Sequence, residues 1–141
     1  MNTQSLTQEQ LSTHTRYDKV LLIDDNSMDN FINKKLLETG NFAANIIPHE
    51  SAAEALAYLK NEKPDHLPQI IFLDINMPGM DGFQFLDEFE KLPASVHDKC
   101  KIIMLSTSEN FKDLNRANKN PLVKKFLNKP LTSPILKAIQ I

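Results

Sequence analysis

Cys100 is the single cysteine of this 141-residue chain. No internal disulfide can form, and such sparing usage suits a reducing, cytoplasmic compartment. His97 lies nearby, but one His and one Cys do not make a metal site, so Cys100 reads as a minor surface or half-buried thiol. His14, His49 and His66 are scattered and fall in no catalytic pattern. Apolar runs reach only about five residues, against the ~20 that a membrane-spanning helix needs. The N-terminus has no apolar h-region, which excludes a secretory signal. Charge of one sign is missing too. The formal net charge is −2, with neither the basic excess of a nucleic-acid binder nor the basic amphipathic helix of a membrane-surface protein. Direct binding to nucleic acid or to a membrane is therefore not expected.

What is present suits one domain. At 41% hydrophobic and 24% charged, the chain can bury a core without staples. Residues 1–17, rich in Gln, Thr and Ser, read as a poorly ordered tail, with a short partner-docking helix as the alternative. Residues 18–141 form the domain. Within it, Lys19–Asp24, Gln69–Asp74, Lys101–Ser106 and Lys124–Lys129 are apolar runs of strand length. Continuous runs of this kind mark strands buried on both faces, as in a parallel sheet. Ala44–Pro48 is a shorter candidate for an edge strand.

Helical spacing lies between the strands. Met28, Phe31, Ile32 and Leu36 mark the first helix, with Gly40 as its stop. Ser51 and Glu54 make a capping box, and Ala52, Ala55, Leu56 and Leu59 form the apolar face that follows. Phe83, Leu86 and Phe89 mark a third helix. Phe111, Leu114 and Ala117 mark a fourth, with a thin apolar stripe. Ser133 and Pro134 open a short fifth. Five β-α units predict right-handed crossovers and helices on both faces of a parallel sheet. Function in such sheets sits beyond the carboxyl ends of the strands.

Those ends carry Asp24 and Asp25, Asp74, Ser106 and Thr107, and Lys129. Each residue alone has a dull explanation as a cap, a strand end or a surface lysine. Three carboxylates, a hydroxyl and an amine converging from four strands are hard to explain that way together. Two carboxylates about 5 Å apart repel by roughly 3 kcal/mol at an effective dielectric near 20. A divalent cation relieves that, and all-oxygen ligands with cellular availability favour Mg²⁺. Phosphoryl transfer needs a nucleophile, a metal and a nearby positive charge, and a carboxylate can form an acyl phosphate. Asp74 is the best nucleophile, since it ends a central strand and leads into a turn containing Pro78, Gly79 and Gly82. Asn76 can offer its backbone carbonyl to the metal.

The pieces "LLIDDN", "IIFLDINMPGMDG", "IIMLSTS" and "FLNKPL", from about Lys19 to Ile141, resemble the receiver domain of two-component response regulators. The implied fold is flavodoxin-like, a doubly wound five-stranded parallel sheet of order 2-1-3-4-5. The resemblance implies that Asp74 accepts phosphate from a phosphohistidine on a sensor histidine kinase or histidine phosphotransfer protein. It makes Asp24, Asp25, Asp74 and the Asn76 carbonyl the Mg²⁺ ligands. Ser106 becomes the switch hydroxyl, Lys129 the partner of the acyl phosphate, and Phe126 the aromatic that moves with Ser106. A cis Lys129–Pro130 bond also follows. The implied protein is a phosphoacceptor that assists its own phosphorylation and dephosphorylation, not an enzyme in the usual sense.

Some positions depart from the family's commonest pattern. Ser106 replaces the more usual Thr. Thr107 stands where a small residue is common, which predicts slower phosphoryl exchange. Phe126 lacks a tyrosine hydroxyl, and the loop before the fifth strand lacks the familiar glycine. The chain ends soon after the fifth helix, so the expectation is a stand-alone receiver, a monomer or weak dimer. Its output would reach a downstream protein effector through the face of the fourth helix, fifth strand and fifth helix. A phosphorelay intermediate or phosphate sink shares every site residue. An aspartyl phosphatase of the haloacid-dehalogenase type wants a second acid where Asn76 stands, and a phosphorylation-independent scaffold fits poorly with an intact residue set.

Overall fold

The computed structural model describes residues 15–107 and 111–140. Five strands form one parallel sheet in the order β2-β1-β3-β4-β5. They are β1 (Tyr17–Ile23), β2 (Ala43–His49), β3 (Ile70–Asp74), β4 (Lys101–Ser106) and β5 (Val123–Asn128). The helices are α1 (Ser27–Thr39), α2 (Ala52–Asn61), α3 (Gly82–Glu90), α4 (Ala94–Lys99), α5 (Phe111–Asn118) and α6 (Ser133–Ala138). The predicted fourth and fifth helices are thus α5 and α6, because the short α4, unmarked by any apolar stripe, precedes β4.

Alternation along the buried strands divides the core. Val20, Leu22, Ile70, Phe72, Ile103 and Leu105 face α1 and α6, where they meet Leu37, Leu136 and Ile139. Leu21, Ile23, Ile71, Leu73, Ile102 and Met104 face the opposite way, against α2, α3 and α5. Both faces of the central strands are therefore dry over Val20–Ile23, Ile70–Leu73 and Ile102–Leu105, which is why those stretches carry no polar residue. β2 is an edge strand as expected, with Pro48 paired to Leu22.

Several local expectations shift by a residue or a face. β1 begins at Tyr17, inside the expected tail, and Tyr17 packs on Phe42 with ring centroids 5.1 Å apart. Arg16 donates to the carbonyls of Leu136, at 2.7 Å, and Ile139, fastening the entry to β1 onto the end of α6. Residues 1–14 lie outside the described residues. α1 stops at Gly40 as expected, but the left-handed residue is Asn41 at φ 52°. Ser51 does cap α2, accepting from the Glu54 amide at 3.1 Å, while the Glu54 carboxylate turns to His49 at 3.4 Å. The reciprocal capping box belongs to α3, between Asp81 and Gln84. Thr132, one residue before Ser133, caps α6. Cys100 is fully buried, and burial pushes its thiol up to about 12.

The largest difference concerns α1. Met28, Phe31 and Ile32 share their helical spacing with Leu36, yet they are 62%, 59% and 53% exposed. Its buried positions are Asn30, Asn33 and Leu37, with Leu36 half-buried against the core. The Asn30 amide donates to the carbonyls of Asp24 at 2.9 Å and His49 at 3.3 Å. The start of α1 thus faces the polar ends of β1 and β2, where an amide satisfies carbonyls that an apolar side chain would leave unpaired.

Candidate functional site

The carboxyl ends of β1, β3, β4 and the segment after β5 meet at one edge of the sheet. Asp24 follows β1, and its Oδ1 accepts from the Asn26 amide at 3.0 Å. Asn26 in turn caps α1, accepting from Met28 and Asp29 amides. Strand and helix are therefore joined by a short polar turn that fixes Asp24 inward and leaves Asp25 exposed. Asp74 closes β3 and pairs with Leu105 of β4. Its main chain is held from the far side of the following loop, where the Gly82 amide donates to the Ile75 carbonyl at 2.8 Å. Gly79, at φ 78°, takes the left-handed turn in that loop.

Asp24 and Asp74 are buried at 4% exposure each. Together with Asp25 they offer carboxylate oxygens that all lie within 4.8 Å of one another. Burial pushes Asp74 up to about 6, the neighbouring Asp24 charge adds to this, and Lys129 partly offsets it. Lys129 Nζ lies 2.5 Å from Asp24, 3.1 Å from Asp29 and 3.4 Å from Asp74. Burial disfavours the ammonium, but the hydrogen bond it donates to Asp24 and the charges of Asp74 and Asp24 outweigh it and hold the amine at about 12. The Lys129 amide donates to the Ser106 carbonyl at 2.8 Å, which ties the end of β5 to the end of β4. The Lys129–Pro130 bond is cis.

The sequence-derived candidates therefore fall into two groups. Asp24, Asp25, Asp74 and Lys129 are brought together by direct distances, and Ser106, wholly buried, sits at the end of the adjacent strand. Asn76 is exposed two residues beyond Asp74, and Phe126 is half-buried in β5 against the α2, α3 and α5 face of the core. Two participants were missed. Asp29 reaches Lys129 from the first turn of α1, and Asn30 holds the strand ends behind Asp24. Both follow the acidic pair within one helical turn, and their polar character on a helix next to the pair was the available signal.

Three converging carboxylates, one with its proton affinity raised by burial and then by its neighbour, suit a hard divalent cation such as Mg²⁺. The fold is flavodoxin-like, with the site at the edge where such sheets place ligands.

The response regulator receiver domain profile matches residues 20–140, and the chain belongs to that family. A two-component response regulator from Cytophaga hutchinsonii is 31% identical, with a TM-score of 0.78, over 86% of this chain and 92% of that one. A response regulator receiver protein from Dyadobacter fermentans is 28% identical, also at 0.78, over 84% of this chain and 91% of that one. By sequence, the chain is 31% identical to hybrid signal transduction histidine kinase L of Dictyostelium discoideum, covering 86% of this chain but only 7% of the kinase. A probable methanogenesis regulatory protein of Methanothrix harundinacea is 30% identical, over 84% of this chain and 76% of the relative. Receiver domains of this family generally bind Mg²⁺. No described helix is long and apolar enough to cross a membrane.

Proposed function

We propose that Asp74 accepts a phosphoryl group from a phosphohistidine on a sensor kinase or histidine phosphotransfer protein, and that this switches a surface read by a protein effector. The observation that carries the reading is the placement of the Asp74 carboxylate. It ends the central strand, within reach of the Asp24 and Asp25 carboxylates and 3.4 Å from the Lys129 ammonium. In the transfer, an Asp74 oxygen bonds to phosphorus while the phosphorus–nitrogen bond to the donor imidazole breaks. The imidazole leaves with its electron pair and takes a proton, and an acyl phosphate remains. Mg²⁺ held by Asp24, Asp25, Asp74 and the Asn76 carbonyl would neutralise charge on the phosphoryl oxygens. Lys129 supplies a positive charge beside the acceptor.

Phosphorylation replaces one negative charge with about two. Ser106, at the end of β4, would turn its hydroxyl towards that group, and Phe126, two residues before the end of β5, would follow it inward. Phe126 is half-buried, packed against the α2, α3 and α5 face of the core. The face of α5, β5 and α6 would then report the charge at Asp74 as a population shift. The donor histidine must approach from the open side of the same edge. Met28, Phe31 and Ile32 stand there, on the first turns of α1, and Ile32 borders a cleft with Thr107 and Lys129. An apolar surface beside the reacting group suits the histidine-bearing donor protein.

Intact-mass spectrometry after incubation with acetyl phosphate and Mg²⁺ tests the acceptor. One phosphoryl adduct is expected in the wild type, and none in Asp74→Asn or without Mg²⁺. Beryllofluoride should shift NMR signals of α5, β5 and α6. An adduct that survives in Asp74→Asn, or a face blind to beryllofluoride, would refute the corresponding half.

A further inference from the structure

The Lys129 ammonium has three protons to donate and faces three carboxylates, those of Asp24, Asp29 and Asp74. Two of these belong to the acidic cluster at the strand ends. Asp29 does not. It rises from the first turn of α1, and its side chain is 38% exposed where those of Asp24 and Asp74 are 5% and 6%. With Ile32, Thr107 and Pro130 it borders a cleft of about 270 Å³ that opens onto Lys129. Taking Asp74 as the phosphoryl acceptor, we infer that Asp29 is a positioning residue. It holds the Lys129 ammonium towards α1 at rest, and an incoming phosphoryl oxygen must take that contact from it.

The order of exchange follows from burial. An ammonium already facing three carboxylates cannot bind a phosphoryl oxygen fully without loosening one of them. Before the bond to Asp74 forms, loosening Asp24 or Asp74 from the ammonium would strand a charge among buried groups, which is costly. The carboxylate of Asp29 is returned to water on release, which costs little. Asp29 is therefore the contact that yields. Until it does, it competes for the one cation that the transferring phosphoryl group uses, so it slows uptake and sets how readily Lys129 leaves its resting place.

Asp29→Asn keeps the shape and removes the charge. In the full chain, the initial rate of adduct formation from acetyl phosphate and Mg²⁺ should rise roughly three- to tenfold, the scale of one partly exposed charged contact. The same substitution in a Lys129→Met background should give no rise, because the contested group is gone. An equal rise in both backgrounds would mean plain through-space repulsion by Asp29 and overturns the inference, as does no rise in either. The ion pair is also read without phosphate, since the Lys129 side-chain ammonium NMR signal should move in Asp29→Asn, and a stationary signal overturns the proposal. A wild-type chain that takes no phosphoryl group while that signal still moves counts against Asp74 as acceptor, not against Asp29 as the partner of Lys129.

Discussion

Gly82 has no room for a Cβ. One placed there would lie 2.8 Å from the Asp74 carbonyl oxygen and 2.9 Å from the Ile75 Cα, both main-chain atoms that cannot swing aside. The turn residues after Asp74 signal a loop, but the need for glycine at its end arises because α3 starts directly against the strand it has just left. Gly82→Ala is expected to cost about 1–3 kcal/mol in urea unfolding, the usual penalty for overpacking against a fixed backbone. It should also slow phosphoryl uptake, since the displaced atom belongs to the acceptor residue. Unchanged stability would show that the loop can move away as a unit. The same residue scale explains why Asn30 and Asp29 escaped the sequence reading. A polar residue at helical spacing carries no sign of whether it faces water or the carbonyls of neighbouring strands.

At the scale of elements, α1 carries apolar residues at helical spacing that do not face the core. Its first two turns lie beside polar strand ends rather than over the sheet, so Met28, Phe31 and Ile32 turn outward while Leu37, further along, reaches the core. By contrast, α2 and α3 cross the sheet along their whole length and bury every apolar residue expected of them. If the outward patch receives the phosphohistidine donor, Phe31→Ser and Ile32→Ser should slow transfer from a histidine phosphotransfer protein about tenfold or more, as loss of an interface hot spot does. Uptake from acetyl phosphate should stay within about twofold, because the small donor needs no docking surface. Parallel time courses with the two donors make the comparison, and equal slowing with both would remove the patch from the docking role.

At the scale of the whole molecule, the site works against the stability of the fold. The Asp74 carboxyl is pushed up to about 6 from 3.8, first by burial and then by Asp24. Between those values the folded chain holds a proton that the unfolded chain has released, so this group's contribution to stability falls as pH rises. It is fully present below about 3.8 and lost once pH passes 6. Asp74→Asn should therefore stabilise the metal-free protein by about 1–2 kcal/mol at pH 7.5 and by almost nothing at pH 4. Mg²⁺ should oppose the same penalty. At ten times its dissociation constant it should add about 1.4 kcal/mol to the wild type at neutral pH, and lose that effect as pH drops below 5. Urea melts at the two pH values, with and without Mg²⁺, check both. A wild type and an Asp74→Asn variant of equal stability at pH 7.5 would show that Asp74 is not under the strain its surroundings imply.

The sequence by itself determined the parallel sheet, the strand order its family resemblance implies, and the convergence of Asp24, Asp25, Asp74, Ser106 and Lys129 on one edge. Those are consequences of period and position: continuous apolar runs must be buried on both faces, and whatever follows each run must emerge at its carboxyl end. Only the tertiary structure decided which carboxylates share Lys129, why Gly82 must be glycine, and that the apolar residues opening α1 face outward. Each of these depends on the approach of groups that are distant in the chain, with distances of a few ångströms set by how helix and strand cross. No pattern within one segment encodes that.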